Sequence, residues 1–275
     1  MDQKTQQTPR NNNIIGIDIG GTGVKGGIVD PKSGKLQGAM ARVPTPQPAT
    51  PQAVATAVNQ LVQELEQRED APGLSSAVGI TFPGIVSKDH ARSAAHMDST
   101  WIGCNITALF AEALNRPVKV LNDADAAGLA EVHYGVGRNV DGTVLMLTLG
   151  TGIGSAFIFN GTLVPNAELG HLEIDGANAE SKASAVARER QELPWEDYSE
   201  ILQRYLSHVE FLFSPELIII GGGISEKTDE YLPHIKLRTP IMPATLKNKA
   251  GVIGAALQAS MQPGPRAAHT LPPQR

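Results

Sequence analysis

The chain has 275 residues, room for about two domains at roughly 150 residues each, and its 41% hydrophobic against 19% charged residues excludes a chain that is disordered throughout. No run of about 18 apolar residues exists to span a membrane, Met1 to Asn13 lacks the apolar core of a secretory signal, and the single Cys104 excludes an intrachain disulfide or a cysteine-rich zinc cluster. The net charge of −5 is uneven: Tyr231 to Arg275 holds no acid and carries Lys236, Arg238, Lys247, Lys249, Arg266 and Arg275, which leaves −11 on the rest. A soluble protein of a reduced, cytoplasmic compartment is expected, and 4% aromatics argue against a base-stacking nucleic-acid module. The basic end either attracts a polyanion or is a solvated surface.

Order is expected to begin at Ile14, after a flexible leader over 1–13. Ile14 to Ile19 is a short, β-branched apolar run and reads as a buried strand. Gly20-Gly21-Thr22-Gly23 turns the chain into a second strand, Val24 to Val29, and a third follows near Leu36 to Val43. The proline-rich stretch Pro44 to Pro51 is a loop, and Val54, Val58, Leu61, Val62 and Leu65 have helical spacing. Ala77 to Thr81 is a buried strand stopped by Phe82-Pro83-Gly84. A helix over 105–115 is capped by Asn105, Val118 to Leu121 is a strand, and a small-residue helix runs from Asn122-Asp123 to about Tyr134.

The pattern then restarts. Thr143 to Leu149 is a strand, Gly150-Thr151-Gly152-Ile153-Gly154 a turn, Ser155 to Phe159 a strand, and Asn160-Gly161 a hairpin signal. The segments 14–43 and 143–164 therefore form a weak internal repeat without sequence identity. A helix near 197–212 precedes the strand Leu217 to Ile220, which ends in Gly221-Gly222-Gly223; a last helix covers 251–261, and 262–275 reads as a disordered tail.

Three strands thus end in glycines, where bare backbone N–H groups can nest an anion. Gly21 to Gly26 spells G-x-G-x-x-G, but a strand follows it instead of a helix, and no acid stands about 20 residues on, so a dinucleotide site is rejected. The Walker pattern is absent. What remains is a hairpin turn for phosphate with Asp18 just before it.

These residues resemble the phosphate loops of the sugar kinase, heat-shock ATPase and actin superfamily. Asp18-Ile19-Gly20-Gly21-Thr22, Phe82-Pro83-Gly84, Asn122-Asp123-Ala124 and Glu168-Leu169-Gly170-His171, in this order over about 14–260, resemble the kinases of the repressor, open reading frame and kinase (ROK) family. Ala179-Glu180, Arg188-Glu189-Arg190 and Leu193-Pro194-Trp195 look like its polyphosphate glucokinase group, glucomannokinases included. The chain departs from most of the family in lacking the cysteine cluster that follows the histidine, so no zinc is expected and His171 must be held another way.

The resemblance implies a two-lobed α/β fold of the actin-like, ribonuclease H-like kind with a cleft between lobes. One lobe would comprise 14–121 with 251–261, the other 122–250. It implies Asp123 as the base on the sugar 6-hydroxyl, although Asn122-Asp123 could also cap the following helix. Gly84, Asn122, Asp123, Glu168, His171 and Glu180 would bind the sugar, with Glu196 the rival to Glu180. Asp18, Gly20, Gly21, Thr22, Lys25, Gly150, Thr151, Gly152 and Gly221-Gly222-Gly223 would meet the phosphates, with Mg²⁺ held at Asp18 through water. Lys25 reads equally as an exposed strand lysine, and Trp101 as sugar cover or core. Glucose, with mannose open, is the expected acceptor, and polyphosphate or ATP the donor. The donor track would use Lys236, Arg238, Lys247 and Lys249, with Lys182, Arg188 and Arg190 as a second cluster. No nucleic acid or membrane partner is expected, and the motifs assign no oligomeric state. A sugar-responsive repressor would need a helix-turn-helix ahead of Ile14; a polymerising ATPase would lack the sugar set; a sugar-binding module would not need Asp123.

Overall fold

The computed structural model describes residues 12–95 and 97–261. Most of the expected leader and the whole expected tail, with Arg266 and Arg275, lie outside the described residues.

The first glycine turn joins β1 (Ile14–Ile19) to an antiparallel β2 (Gly23–Asp30), and β3 (Lys35–Pro44) continues the meander. Thr50 caps α1 (Pro51–Glu66), whose Pro51 takes the first turn where no N–H is needed. β4 (Val78–Phe82) returns parallel to β1, and a two-stranded hairpin, β5 (Val86–Ser87) and β6 (His90–Ala91), follows the Pro83-Gly84 turn. Asn105 caps α2 (Ile106–Leu114), accepting from the Ala108 N–H. β7 (Val118–Asn122) pairs parallel to β4 and runs directly into α3 (Asp123–Tyr134).

The second half repeats the plan. β8 (Thr143–Leu149) and β9 (Ile153–Phe159) pair across the second glycine turn, and β10 (Thr162–Val164) is the edge. Between them and the long helix lie short elements too brief for periodicity to reveal: a hairpin of β11 (Glu173–Ile174) and β12 (Ala177–Asn178), then α4 (Glu180–Ala183) and α5 (Ala185–Arg190). α6 (Trp195–Phe213) leads to β13 (Leu217–Gly221), parallel to β8; α7 (Thr228–Tyr231), the edge strand β14 (Ile241–Pro243) and α8 (Ala250–Ser260) complete the described chain. The sheet orders are β3-β2-β1-β4-β7 and β10-β9-β8-β13-β14, so the repeat legible in the sequence is a repeat of topology.

Five layers result. The buried stripe Val54, Val58, Leu61, Val62 and Leu65 of α1 covers one face of the first sheet beside Ile106 and Phe110 of α2; burying each large side chain contributes about 1.5–3 kcal/mol. α8 and α3 fill the middle, packed on each other and on opposite sheets. α6 covers the far face of the second sheet through Tyr198, Leu202, Tyr205 and Leu206. α3 has no polar stripe because it is buried from Ala124 through Val132. The α8 backbone lies directly on β1 and β4: a Cβ on Gly16 would stand 2.0 Å from the Val252 carbonyl oxygen, and one on Gly79 1.8 Å from that of Ala255. Glu131 is fully buried on α3 and accepts from Val136 N–H (3.0 Å), Thr245 Oγ1 (3.0 Å) and Leu246 N–H (2.7 Å), which seats the chain entering α8.

Trp101 is wholly core. It has no exposure, donates its indole N–H to the Ala49 carbonyl at 2.8 Å, and packs between Phe82 and Phe110. It cannot cover a ligand.

Candidate active site

The two glycine turns, both at ends of central strands, face a common cleft of about 760 Å³. Strand ends are where open α/β sheets place ligands. Of the residues singled out in the sequence, Gly20, Gly21, Gly84, Asn122, Asp123, Gly150, Thr151, Gly152, Glu168, His171, Glu180 and Gly222 line it. Asp18, Thr22, Lys25, Gly221 and Gly223 do not line it: Thr22, Gly221 and Gly223 adjoin lining glycines, and Asp18 and Lys25 face each other across β1 and β2 below the first turn.

Asp123 is the first residue of α3, and Asn122 takes the cap. The Asn122 Oδ1 accepts from Ala124 N–H at 2.8 Å and Asp125 N–H at 3.0 Å, and its amide donates to the Gly84 carbonyl at 3.2 Å. The two candidate duties at this strand end are thus divided between neighbours, which leaves the Asp123 carboxylate open to the cleft while one oxygen accepts from Ala124 N–H at 2.9 Å. Surface water reaches this carboxylate, yet protein atoms crowd it on most sides. That desolvation, with Asp18 and Glu168 adding negative charge nearby, pushes it up to about 6.

The first turn is braced around Asp18. Thr81 Oγ1 donates to Asp18 Oδ1 at 2.8 Å and itself accepts from Ile19 N–H, while Lys25 Nζ stands 3.4 Å from Oδ2. Lys25 is therefore paired rather than a free strand lysine. Thr45 holds the turn from outside, donating to the Gly20 carbonyl at 2.6 Å. The Arg42 guanidinium lies against Gly23, and a Cβ on Gly251 of α8 would stand 2.8 Å from the Asp18 carboxyl carbon.

The second turn carries no charge of its own. Its charged neighbour is Glu180 of α4, whose Oε2 accepts from Ile153 N–H at 3.3 Å. Val186 N–H donates to the Gly150 carbonyl at 3.1 Å, tying α5 to the same turn. Gly222 has φ +79° and crosses over Leu149, a conformation that favours glycine. Glu168 and His171 are brought together at 3.9 Å by a single 3₁₀ turn over Leu169–His171. Buried Ser155 clamps the backbone on both sides of Glu168, donating to Ala167 C=O at 2.6 Å and accepting from Leu169 N–H at 2.8 Å. Burial raises the Glu168 carboxyl, His171 lowers it, and Glu180 raises it. Glu196 does not line the cleft and is exposed in the first turn of α6.

Among the expected donor cations only Arg190 lines the cleft. Arg188 lies over the Trp195 ring at 3.5 Å, and Arg238 faces Glu210 at 3.6 Å, on the α6 side of the second sheet. Lys247 and Lys249 form the short turn that enters α8.

Sequence reasoning passed over Thr81, Ser155, Asp125 and Arg42. A hydroxyl inside the apolar runs Val78–Phe82 and Ile153–Phe159 is a usable signal for the first two. Asp125 is 1% exposed, and desolvation pushes its carboxyl up to about 7. Nothing local in the sequence announces Arg42, which reaches the turn only through the β2–β3 pairing.

Among the described residues no group of three His, Cys, Asp or Glu is close enough to hold a metal by itself, and no helix is long and apolar enough to cross a membrane.

Comparison with known proteins agrees with this layout. The family model described as the ROK family matches residues 14–185. A polyphosphate glucokinase of Mycobacterium tuberculosis is 46% identical over 244 residues, covering 88% of this chain and 89% of its own. The crystal structure of an inorganic polyphosphate/ATP-glucomannokinase from Arthrobacter sp. strain KM shares 65% identity with a TM-score of 0.86 over 90% of this chain and 98% of that one. A glucokinase of Streptomyces griseus, crystallised with glucose and AMPPNP, shares the fold at 24% identity, with a TM-score of 0.75 over 89% and 98% of the two chains. The two-lobed actin-like kinase fold is therefore the fold of this chain, and with glycine turns, strand-end acid and E-x-x-H segment all falling where the matches run, the protein belongs to the ROK family.

Proposed function

We propose that the protein is a glucokinase that moves a phosphoryl group from inorganic polyphosphate or ATP to the 6-hydroxyl of glucose, with mannose as a second acceptor. The observation that carries this reading is Asp123: a carboxylate open to a cleft, freed of capping duty by Asn122, raised to about 6, and placed in one cavity with both glycine turns. The glucokinase and glucomannokinase named above support the acceptor and the donors.

Asp123 takes the proton of the 6-hydroxyl as that oxygen attacks the terminal phosphorus. The bond from phosphorus to the bridging oxygen breaks, and the shortened polyphosphate or ADP leaves. A base near pH 6 is ionised at neutral pH and still basic enough to serve. Asn122, Glu168, His171 and Glu180 hold the ring hydroxyls, and the Gly84 backbone closes one side. The N–H groups of Gly20-Gly21-Thr22 and Gly150-Thr151-Gly152, with the Thr151 hydroxyl and Lys25, meet the phosphates. Gly221-Gly222-Gly223 borders the donor's far end.

Mg²⁺ suits Asp18, which has one oxygen braced by Thr81 and the other 3.4 Å from Lys25 Nζ. A single carboxylate with waters and substrate phosphates is its usual setting, and there it neutralises phosphate charge. A long donor leaves the cleft past Arg190, the cation that lines it. The lobes 14–121 with 251–261 and 122–250 close over the sugar, so that phosphate goes to it and not to water. The cytoplasm, which supplies both donors, is the expected location.

A coupled assay for hexose 6-phosphate, with glucose, Mg²⁺ and either polyphosphate or ATP, tests the reading. Turnover with polyphosphate and with ATP is expected. ATP alone would remove the polyphosphate assignment, and no turnover with either would leave a sugar-binding regulator.

A further inference from the structure

Behind the sugar side of the cleft lies a polar chain that the chemistry above does not use. Asp125, two residues after Asp123, is 1% exposed. Its Oδ2 accepts from Asn166 N–H at 2.8 Å, and its Oδ1 has no partner among the described residues. A buried carboxyl oxygen left unpaired costs stability and calls for a reason. Asn166 itself holds a left-handed backbone at φ +61°, and its side chain pairs both ways with Val86: Val86 N–H donates to Oδ1 at 3.0 Å, and Nδ2 donates to the Val86 carbonyl at 3.0 Å.

The positions of the two ends matter. Asn166 is two residues before Glu168; Val86 is two residues after Gly84. Glu168 belongs to the second sheet's loops and Gly84 to the first sheet's. Asn122 already ties the Gly84 carbonyl to the start of α3 at 3.2 Å. Asp125, one turn further into α3, ties Asn166 to the same helix. The start of α3, which presents Asp123, is thereby linked to both walls of the sugar pocket, and Asn166 links the walls to each other.

We propose that Asp125 and Asn166 are positioning residues, a relay that sets the spacing of the Glu168 segment and the Gly84 turn about Asp123 and so the affinity for the sugar. This rests on the glucokinase reading. A bidentate side-chain pair to one backbone unit fixes both distance and orientation. A simple loop tether would need neither a second hydrogen bond nor a carboxylate buried with one oxygen idle.

The test uses the full chain and reads glucose Kd by calorimetry together with both Michaelis constants. Asn166→Gly keeps the left-handed backbone and deletes the clamp. It should raise glucose Kd and KM tenfold or more while the KM for polyphosphate and for ATP stays within twofold. Asp125→Ala should do the same, and the double variant should be no worse than either alone, since both cut one path. Asp125→Asn retains an acceptor for the Asn166 N–H and should restore glucose Kd to within twofold of the native chain. If Asn166→Gly does not fold, Asn166→Asp, which keeps the acceptor and loses the donor, must show the same selective rise. A folded clamp variant with native glucose affinity, or with donor and glucose constants raised alike, overturns the relay. A native chain that binds no glucose would instead overturn the kinase reading.

Discussion

The two glycine turns are built from the same backbone device and furnished in opposite ways. The first is charged from within: Asp18 precedes it, Lys25 follows it, and Thr81, the Arg42–Thr45 stretch and Gly251 brace it from three other parts of the chain. The second has no charge in its hairpin and borrows one, Glu180, from a short helix about 30 residues on. Pairing geometry alone therefore does not assign a turn its task. A turn locked by its own ions suits one fixed reacting group. A turn whose charge arrives on a separate segment can share that charge with a second ligand, which under the proposed function is the sugar.

Substitutions can break or sharpen this contrast. The largest effect belongs to the group between the turns: Asp123→Asn should lower kcat by about 10²–10⁴-fold, read in the coupled assay with either donor. In the native chain kcat/KM should fall as pH drops through about 6, because protonating Asp123 removes the proposed base. At the first turn, Gly251→Ala drives a methyl into the Asp18 carboxyl. Misplacement by an ångström can cost about 10²-fold, so kcat/KM for the donor should fall by about that factor with glucose Kd unchanged. At the second turn, Glu180→Ala should raise glucose KM by about 10–100-fold through loss of a charged hydrogen bond, with a smaller rise for the donor. A larger rise for the donor would erase the contrast. Thr151→Ala removes one neutral hydroxyl and should raise the donor KM only about two- to tenfold. Away from the turns, the raised carboxyl of Asp125 penalises the fold as pH climbs from about 4 towards about 7, since the folded state prefers it protonated. Asp125→Asn should therefore gain thermal stability relative to the native chain over that interval, and the gain should level off above it.

Much of this was legible from local sequence. Long elements with clear periods, such as Ile14–Ile19 and the 54–65 stripe, fall within a residue or two of their expected bounds. The glycine turns stood out because strand–glycine–strand has few other uses. What escaped did so for physical reasons. The segment from Glu173 to Arg190 folds as pieces of two to six residues, too short to show a period, although Glu180 and Arg190 sit on them. Trp101 beside a motif suggests a lid as readily as a core, and only its indole bond to Ala49 decides. The basic stretch after Tyr231 is contiguous in sequence, but its described cations Lys236, Arg238, Lys247 and Lys249 are divided between the loop before β14 and the entry to α8, and none of the four lines the cleft. Asn122 and Asp123 were each candidates for the cap, and the choice depended on which side chain turned back on its own helix.

The seating of α8 on β1 and β4 bears on how the protein is made. β1, β4 and β7 are all synthesised by residue 122, yet the helix that lies on Gly16 and Gly79 begins at Ala250. At roughly 5–20 residues per second the ribosome needs on the order of ten seconds to bridge that gap. During it, the N-terminal sheet has α1 and α2 on one face and a bare, glycine-notched apolar face on the other. Nascent chains at this stage are the form most exposed to off-pathway association, and the first sheet is sealed only when α8 has left the ribosome.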